Sequence, residues 1–170
     1  MYNDFSFIVD SVAVGPFTDS ELTKFQAISP YTKNYDLEIS DLVEYLDKTD
    51  LALFLAVDTN DIPVGYLAVS MFWNGYASVD DFAVDVKVRR LGCASQLMGA
   101  AVNWTKERGL PGLRLETQHN NAAACKFYQK FGFRLGGYDM HLYDALSTGS
   151  LSKEIALFWY FLVDLARKEI

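Results

Sequence analysis

Apolar and polar positions change period several times along the chain. Residues 51–57, 64–72 and 77–84 are short apolar runs separated by the polar turns Asp58-Thr59-Asn60-Asp61 and Asn74-Gly75, which predicts three strands joined in sequence by tight turns. The period then lengthens. Ala94, Leu97, Met98, Ala101 and Thr105 recur at helical spacing, with Gln96, Asn103 and Lys106 on the other side, so an amphipathic helix is expected up to the stop Gly109-Leu110-Pro111-Gly112. Residues 113–117 alternate leucines against Arg114 and Glu116, a strand that turns Glu116 away from its leucines. Asn120-Asn121 should cap a second helix in which Ala124, Phe127, Tyr128 and Phe131 share a face, ended by Gly132. Residues 133–143 and 154–163 read as the last two strands. The final one is apolar on both alternating faces and is expected to be buried on both.

Upstream, residues 5–14 read as a strand closed by Gly15-Pro16, and Thr18-x-x-Glu21 is a capping-box pattern opening a helix through residue 28. A further helix is expected over residues 40–48. The polar and aromatic stretch 31–36 between them is of the kind that covers a pocket, with Tyr35 and Asp36 as candidate substrate contacts. Three antiparallel strands followed by strand, helix, strand, helix, strand predict an α/β fold, a mixed and mainly antiparallel sheet flanked by helices. With 170 residues and no repeat or linker, the chain is expected to form a single domain over 1–170.

Charge narrows the partners. The net charge of −7 disfavours nucleic acid, whose phosphates need a basic surface. Residues 1–60 hold eleven acidic and three basic side chains, net −8, whereas the remainder is nearly balanced. Asp36, Glu38, Asp41, Glu44, Asp47 and Asp50 form the acidic stretch, either a solvated helix face or an attractor for a cationic substrate. The longest apolar run, residues 155–163, is far short of a membrane span, and the start lacks a basic leader, so a cytoplasmic protein with no membrane partner is expected. Cys93 and Cys125 have no metal-ligand spacing with His119 or His141. They read as reduced packing residues, no metal is expected, and the histidines read as non-catalytic loop and strand residues.

The chemistry concentrates where the third strand stops. After Phe82, Ala83 and Val84 the chain turns through Arg89, Arg90, Leu91, Gly92, Cys93 and Ala94 into the first long helix. A helix start presents unpaired N–H groups and the positive end of the helix dipole, and two arginines add full charges, so an anion, best a phosphate, is the expected guest. About thirty residues on stands Asn121-x-x-Ala124-x-x-Phe127-Tyr128-x-x-x-Gly132-Phe133. Together with Arg89-x-x-Gly92-x-Ala94 this resembles the two core motifs of the GNAT superfamily of acetyl-CoA-dependent N-acetyltransferases. The blocks at 79–85, 110–118 and 154–160 further resemble its streptothricin acetyltransferase branch.

The resemblance implies a GNAT-type fold and acetyl-CoA as cosubstrate. Its pyrophosphate would lie on residues 89–94, and its pantetheine arm would lie along Phe82, Ala83 and Val84 with Asn121 as a hydrogen-bond partner. Ala94 stands where the family more often has Gly, and so does Arg90. The implied acceptor is a primary amine of a cationic small molecule, streptothricin first, with antibiotic resistance as the outcome. Alternatives are a protein N-terminal or lysine amine, or an acetyl-CoA sensor without turnover, and a homodimer is left open. A lysine-type ammonium of pKa ~10.4 is only about one part in a thousand neutral near pH 7.4, so a base is required. Glu116, five residues before the motif asparagine, matches the family's base, with Asp80 and Asp81 as alternatives because alternation sends one to each face of their strand. Tyr128 matches the family's acid. From periodicity alone it is a core tyrosine.

Overall fold

A computed structural model describes residues 5–7, 25–27, 42–46, 48–144 and 154–164. Its strands are β1 (Phe5–Phe7), β2 (Phe25–Ala27), β3 (Leu51–Val57), β4 (Pro63–Met71), β5 (Ala77–Val84), β6 (Gly112–Gln118), β7 (Arg134–Asp139) and β8 (Ala156–Leu162). Its long helices are α1 (Cys93–Glu107) and α2 (Ala122–Phe131). Six strands form one sheet in the order β3-β4-β5-β6-β8-β7, and β1 pairs with β2 in a separate antiparallel ribbon. β3–β4, β4–β5 and β7–β8 are antiparallel and β5–β6 is parallel, the mixed sheet that the strand pattern predicts. The described residues of 37–115 and 161–170 make one compact unit and those of 1–36 and 116–160 another. Strands β6 and β8 contribute residues to each.

In the first unit α1 packs on β3, β4 and β5. Leu97, Met98, Ala101, Val102, Trp104 and Thr105 are its buried side chains, on the side of the sheet to which β4 turns the fully buried Leu67 and Val69. Each such aliphatic side chain contributes about 1.5–3 kcal/mol by leaving water. Thr105 is tolerated there because its hydroxyl donates to the Ala101 carbonyl at 2.7 Å. Gly65 on β4 lets the helix approach: a Cβ there would lie 3.3 Å from Cys93 Sγ and 3.3 Å from Leu97 Cδ1. At its end, Gly109 adopts φ +66° and the Leu110 N–H returns to the Thr105 carbonyl at 3.1 Å, closing the helix as the Gly-Leu-Pro-Gly stop predicts.

Strand β5 carries a β-bulge. Val69 opposes Val79 and Ala68 opposes Asp81, so Asp80 is an extra residue. Ala77 and Val79 therefore share a face with Phe82 and Val84, opposite Met71, Val69, Leu67 and Gly65, which is the face that Gly65 turns to α1. Ser78, Asp81 and Ala83 occupy the other. Simple alternation had paired these residues differently.

In the second unit Asn121 caps α2, its side chain accepting from the Ala124 N–H at 3.2 Å, and Gly132 ends it at φ +114°. The buried face is Ala122, Cys125 and Tyr128 rather than the expected Ala124, Phe127, Tyr128 and Phe131, whose phenylalanines are half-buried. Strand β8 lies between β6 and β7, and the adjacent Ala156 and Leu157 are both fully buried, as expected for a strand covered on both faces.

Three expected elements differ. Phe25–Ala27 is a strand paired to Phe5–Phe7, not the end of a helix running to residue 28, because backbone pairing to β1 outweighs a capping signal that marks only a helix start. Residues 42 and 43 are helical, but residues 44–46 turn, with Tyr45 and Leu46 donating to Leu42 and Val43, so the helix expected to reach residue 48 ends early. Strand β7 stops at Asp139 rather than 143, since the Asp139 carboxylate accepts the N–H groups of His141 at 2.7 Å and Leu142 at 3.1 Å and turns the chain. The helix start at Thr18 and the loop 31–36, with Tyr35 and Asp36, lie outside the described residues.

Candidate functional site

The first unit supplies the loop before α1. A short 3-10 turn, Val86–Val88, leaves β5, capped by Asp85, whose carboxylate accepts the Lys87 N–H at 2.8 Å. Arg90 and Gly92 then both adopt left-handed conformations, φ +66° and +90°, and Gly92 caps α1 without any side-chain hydrogen bond. The first bond of the helix runs from Gln96 N–H to the Gly92 carbonyl, so the N–H groups of Cys93, Ala94 and Ser95 remain outside the helical ladder. A Cβ on Gly92 would meet nothing within 4 Å, so the space before it is open. These features suit a phosphate held by backbone N–H groups. Arg89 is less free than its charge suggests, since its Nε donates to the Val84 carbonyl at 3.1 Å and ties the loop to the strand end.

The strand before the loop is partly committed. Asp85 N–H bonds the Val64 carbonyl at 2.8 Å, so by alternation the N–H and C=O of Val84 point away from β4, as an added strand-like ligand requires. Ala83 faces Tyr66 in the β4 ladder, and the Phe82 N–H donates to its neighbour Asp81 at 2.7 Å. The two aspartates have different tyrosine partners. Exposed Asp80 accepts from Tyr45 at 3.0 Å, and half-buried Asp81 accepts from Tyr66 at 2.8 Å. Burial, then the aspartate beside it, raises each tyrosine's pKa well above its ordinary range, so both stay donors. Neither tyrosine was anticipated.

The second unit holds Glu116, Asn121 and Tyr128. Glu116 is exposed on β6, with its neighbours Leu115 and Thr117 buried. Tyr143 donates its hydroxyl to Glu116 Oε1 and accepts from Gln118 Nε2 at 3.1 Å. Gln118 follows Glu116 by two, on the same face. Tyr128 is buried among Phe127, Phe133 and Trp159, with ring centroids at 5.7, 5.7 and 6.2 Å. Asn121 spends its side-chain oxygen on capping α2, a structural use that the expected cofactor contact did not include. His119 Nδ1 accepts the Ile155 N–H at 3.0 Å, and burial lowers its pKa, which keeps it neutral. His141 pairs with Asp144 at 2.7 Å. Both histidines have structural partners that spacing did not reveal. Cys125 is buried against the Gln118 carbonyl at 3.9 Å, and burial raises its thiol pKa. Tyr143 was missed because it was read as a strand residue. Gly65 could have been found, since a lone glycine in a strand signals a close backbone neighbour.

Known proteins agree with this architecture. Residues 19–133 match the model of the Acetyltransferase (GNAT) family. Streptothricin acetyltransferase A of Bacillus subtilis (strain 168) is 36% identical over 148 residues, 87% of this chain and 80% of that one. Streptothricin acetyltransferase of Escherichia coli is 36% identical over 136 residues, covering 80% and 73%. Among solved structures, a candidate streptothricin acetyltransferase from Bacillus anthracis str. Ames in complex with acetyl coenzyme A superposes with a TM-score of 0.82 at 32% identity, over 96% of this chain and 86% of that one. Nourseothricin acetyltransferase follows at 0.73 and 30%, covering 95% and 86%. No helix among the described residues is long and apolar enough to cross a membrane. The family match over residues 19–133 and the likeness along most of both chains agree on one conclusion: the chain belongs to the GNAT acetyltransferase family and is an acyltransferase that uses acetyl-CoA.

Proposed function

We propose that this chain transfers the acetyl group of acetyl-CoA to a primary amine of a streptothricin-type antibiotic, from a single N-acetyltransferase domain in the cytoplasm. The observation that carries the reading is its likeness to the B. subtilis streptothricin acetyltransferase over most of both chains. In this reading the backbone of residues 89–94 holds the pyrophosphate, and Phe82, Ala83 and Val84 with Asn121 hold the pantetheine arm. The Val84 N–H polarises the thioester carbonyl. Glu116, directly or through one water, removes a proton from the acceptor ammonium, so that the amine lone pair forms the C–N bond while the C–S bond breaks. Tyr128 donates its proton to the departing thiolate, and the second proton shed by the acylated nitrogen restores the phenol, leaving the one proton on Glu116 to pass to solvent. Asp80, Asp81, Tyr35 and Asp36 gather and orient the cationic acceptor, assisted by the acidic first sixty residues.

Acetyl-CoA consumption measured against streptothricin, aminoglycosides, polyamines and peptides tests the reading. Streptothricin should give the highest kcat/KM. A higher value with peptides would make the chain a protein acetyltransferase, and acetyl-CoA binding with no turnover on any acceptor would make it a sensor.

A further inference from the structure

We infer that Tyr143 is a positioning residue for Glu116: it holds one carboxylate oxygen so that the other is presented to the acceptor amine. The inference rests on the reading of Glu116 as the base. Glu116 is an exposed side chain on a strand, and such a carboxylate would otherwise sample several rotamers. Here Oε1 receives the Tyr143 hydroxyl, while Oε2 has no hydrogen-bond partner among the described residues. Gln118 donates in turn to Tyr143, so the chain of donors runs from amide to phenol to carboxylate, each bond polarising the next.

Tyr143 is itself held in place. The Asp139 carboxylate fixes the turn after β7 through two backbone N–H groups, and Asp144 N–H closes on the His141 carbonyl at 3.0 Å. Burial, followed by the hydrogen bond and charge of Glu116, raises the Tyr143 pKa far above the ordinary tyrosine value, so the phenol remains a donor across any working pH. The nearby titratable groups are Glu154, whose charge reaches both Tyr143 and His119, and His119 itself. Arg114, two residues back on β6, is engaged by Phe72 and Ser78.

The test is a cycle of Tyr143→Phe, Glu116→Gln and the double variant, in the full chain with acetyl-CoA and the best acceptor. Tyr143→Phe should keep KM for acetyl-CoA and lower kcat by about 10- to 100-fold, the scale of a misplaced reacting group. In the Glu116→Gln background the same change should have no further effect, because Tyr143 acts only through that carboxylate. Losses that multiply would overturn the inference, as would a wild-type rate for Tyr143→Phe beside a slow Glu116→Gln. A wild-type rate for Glu116→Gln instead removes the base reading, and the inference with it. Should Tyr143→Phe fail to fold, 3-fluorotyrosine at 143 keeps the ring and strengthens the donor. Its effect on kcat should then vanish in Glu116→Gln, and an equal effect in both backgrounds would count against the inference.

Discussion

Gly92→Ala separates backbone strain from cofactor binding. At φ +90° a Cβ-bearing residue costs about 1–2 kcal/mol over glycine, and because nothing lies within 4 Å of the added methyl, the cost is entirely conformational. Two responses are open to the loop. If it keeps its shape, the free protein loses that energy, a fall of roughly 2–8 °C in Tm for a chain of this size, and acetyl-CoA binds as before. If it relaxes when free, Tm is retained, but binding must restore the strained shape, and Kd rises by up to about 5- to 30-fold. The bound state carries the same penalty either way. Losses in unfolding free energy, from calorimetry without ligand, and in binding free energy, from titration with acetyl-CoA, should therefore sum to about 1–2 kcal/mol whichever route the loop takes. Both quantities unchanged would refute the claim that a left-handed Gly92 is required for binding.

Three further outcomes are expected. Gly112→Ala should cost about 3 kcal/mol, because its Cβ would lie 2.1 Å from the Phe161 carbonyl oxygen, a clash of backbone with backbone, and an unchanged denaturation midpoint would contradict this. His119 is held neutral by burial, so the unfolded chain binds more protons below its ordinary pKa of about 6.5 and stability should fall as pH drops through that window. His119→Asn, which keeps an acceptor for the Ile155 N–H, should flatten that slope in urea titrations, and an identical slope would assign it to other groups. Tyr128→Phe should preserve Tm while lowering kcat by about 10²–10⁴-fold, and a kcat within a few-fold of wild type, with chemistry rate-limiting, would leave Tyr128 a packing residue.

Much of the fold was legible because its signals are local. The span of β5 matches the apolar run 77–84, and α1 and α2 begin and end at Gly92, Gly109, Asn121 and Gly132, whose backbone geometry follows from the residue type. The helix start at Gly92 was legible for the same reason. What escaped depends on contacts distant in sequence. The pairing of residues 25–27 with 5–7 is set by a partner strand, the early end of β7 by one aspartate folding back, and the Tyr143–Glu116 contact spans 27 positions. Periodicity within a short window carries none of this. The tyrosines on Asp80 and Asp81 escaped likewise, Tyr45 lying 35 residues from its partner.

The extra residue at position 80 behaves as a frameshift in the parity of strand β5. Odd positions before it and even positions after it belong to the helix-facing surface, so one stretch of chain is written in two registers. Deleting Asp80 would thus do more than remove a carboxylate. It would join Val79 directly to Asp81, so that unbroken alternation by itself keeps Ala77, Val79, Phe82 and Val84 on the helix-facing surface, and what is lost is the bulge with its local bend and added twist. Substitution at 80 keeps the bulge, deletion turns it into a plain ladder, and either form presents the same side chains to α1.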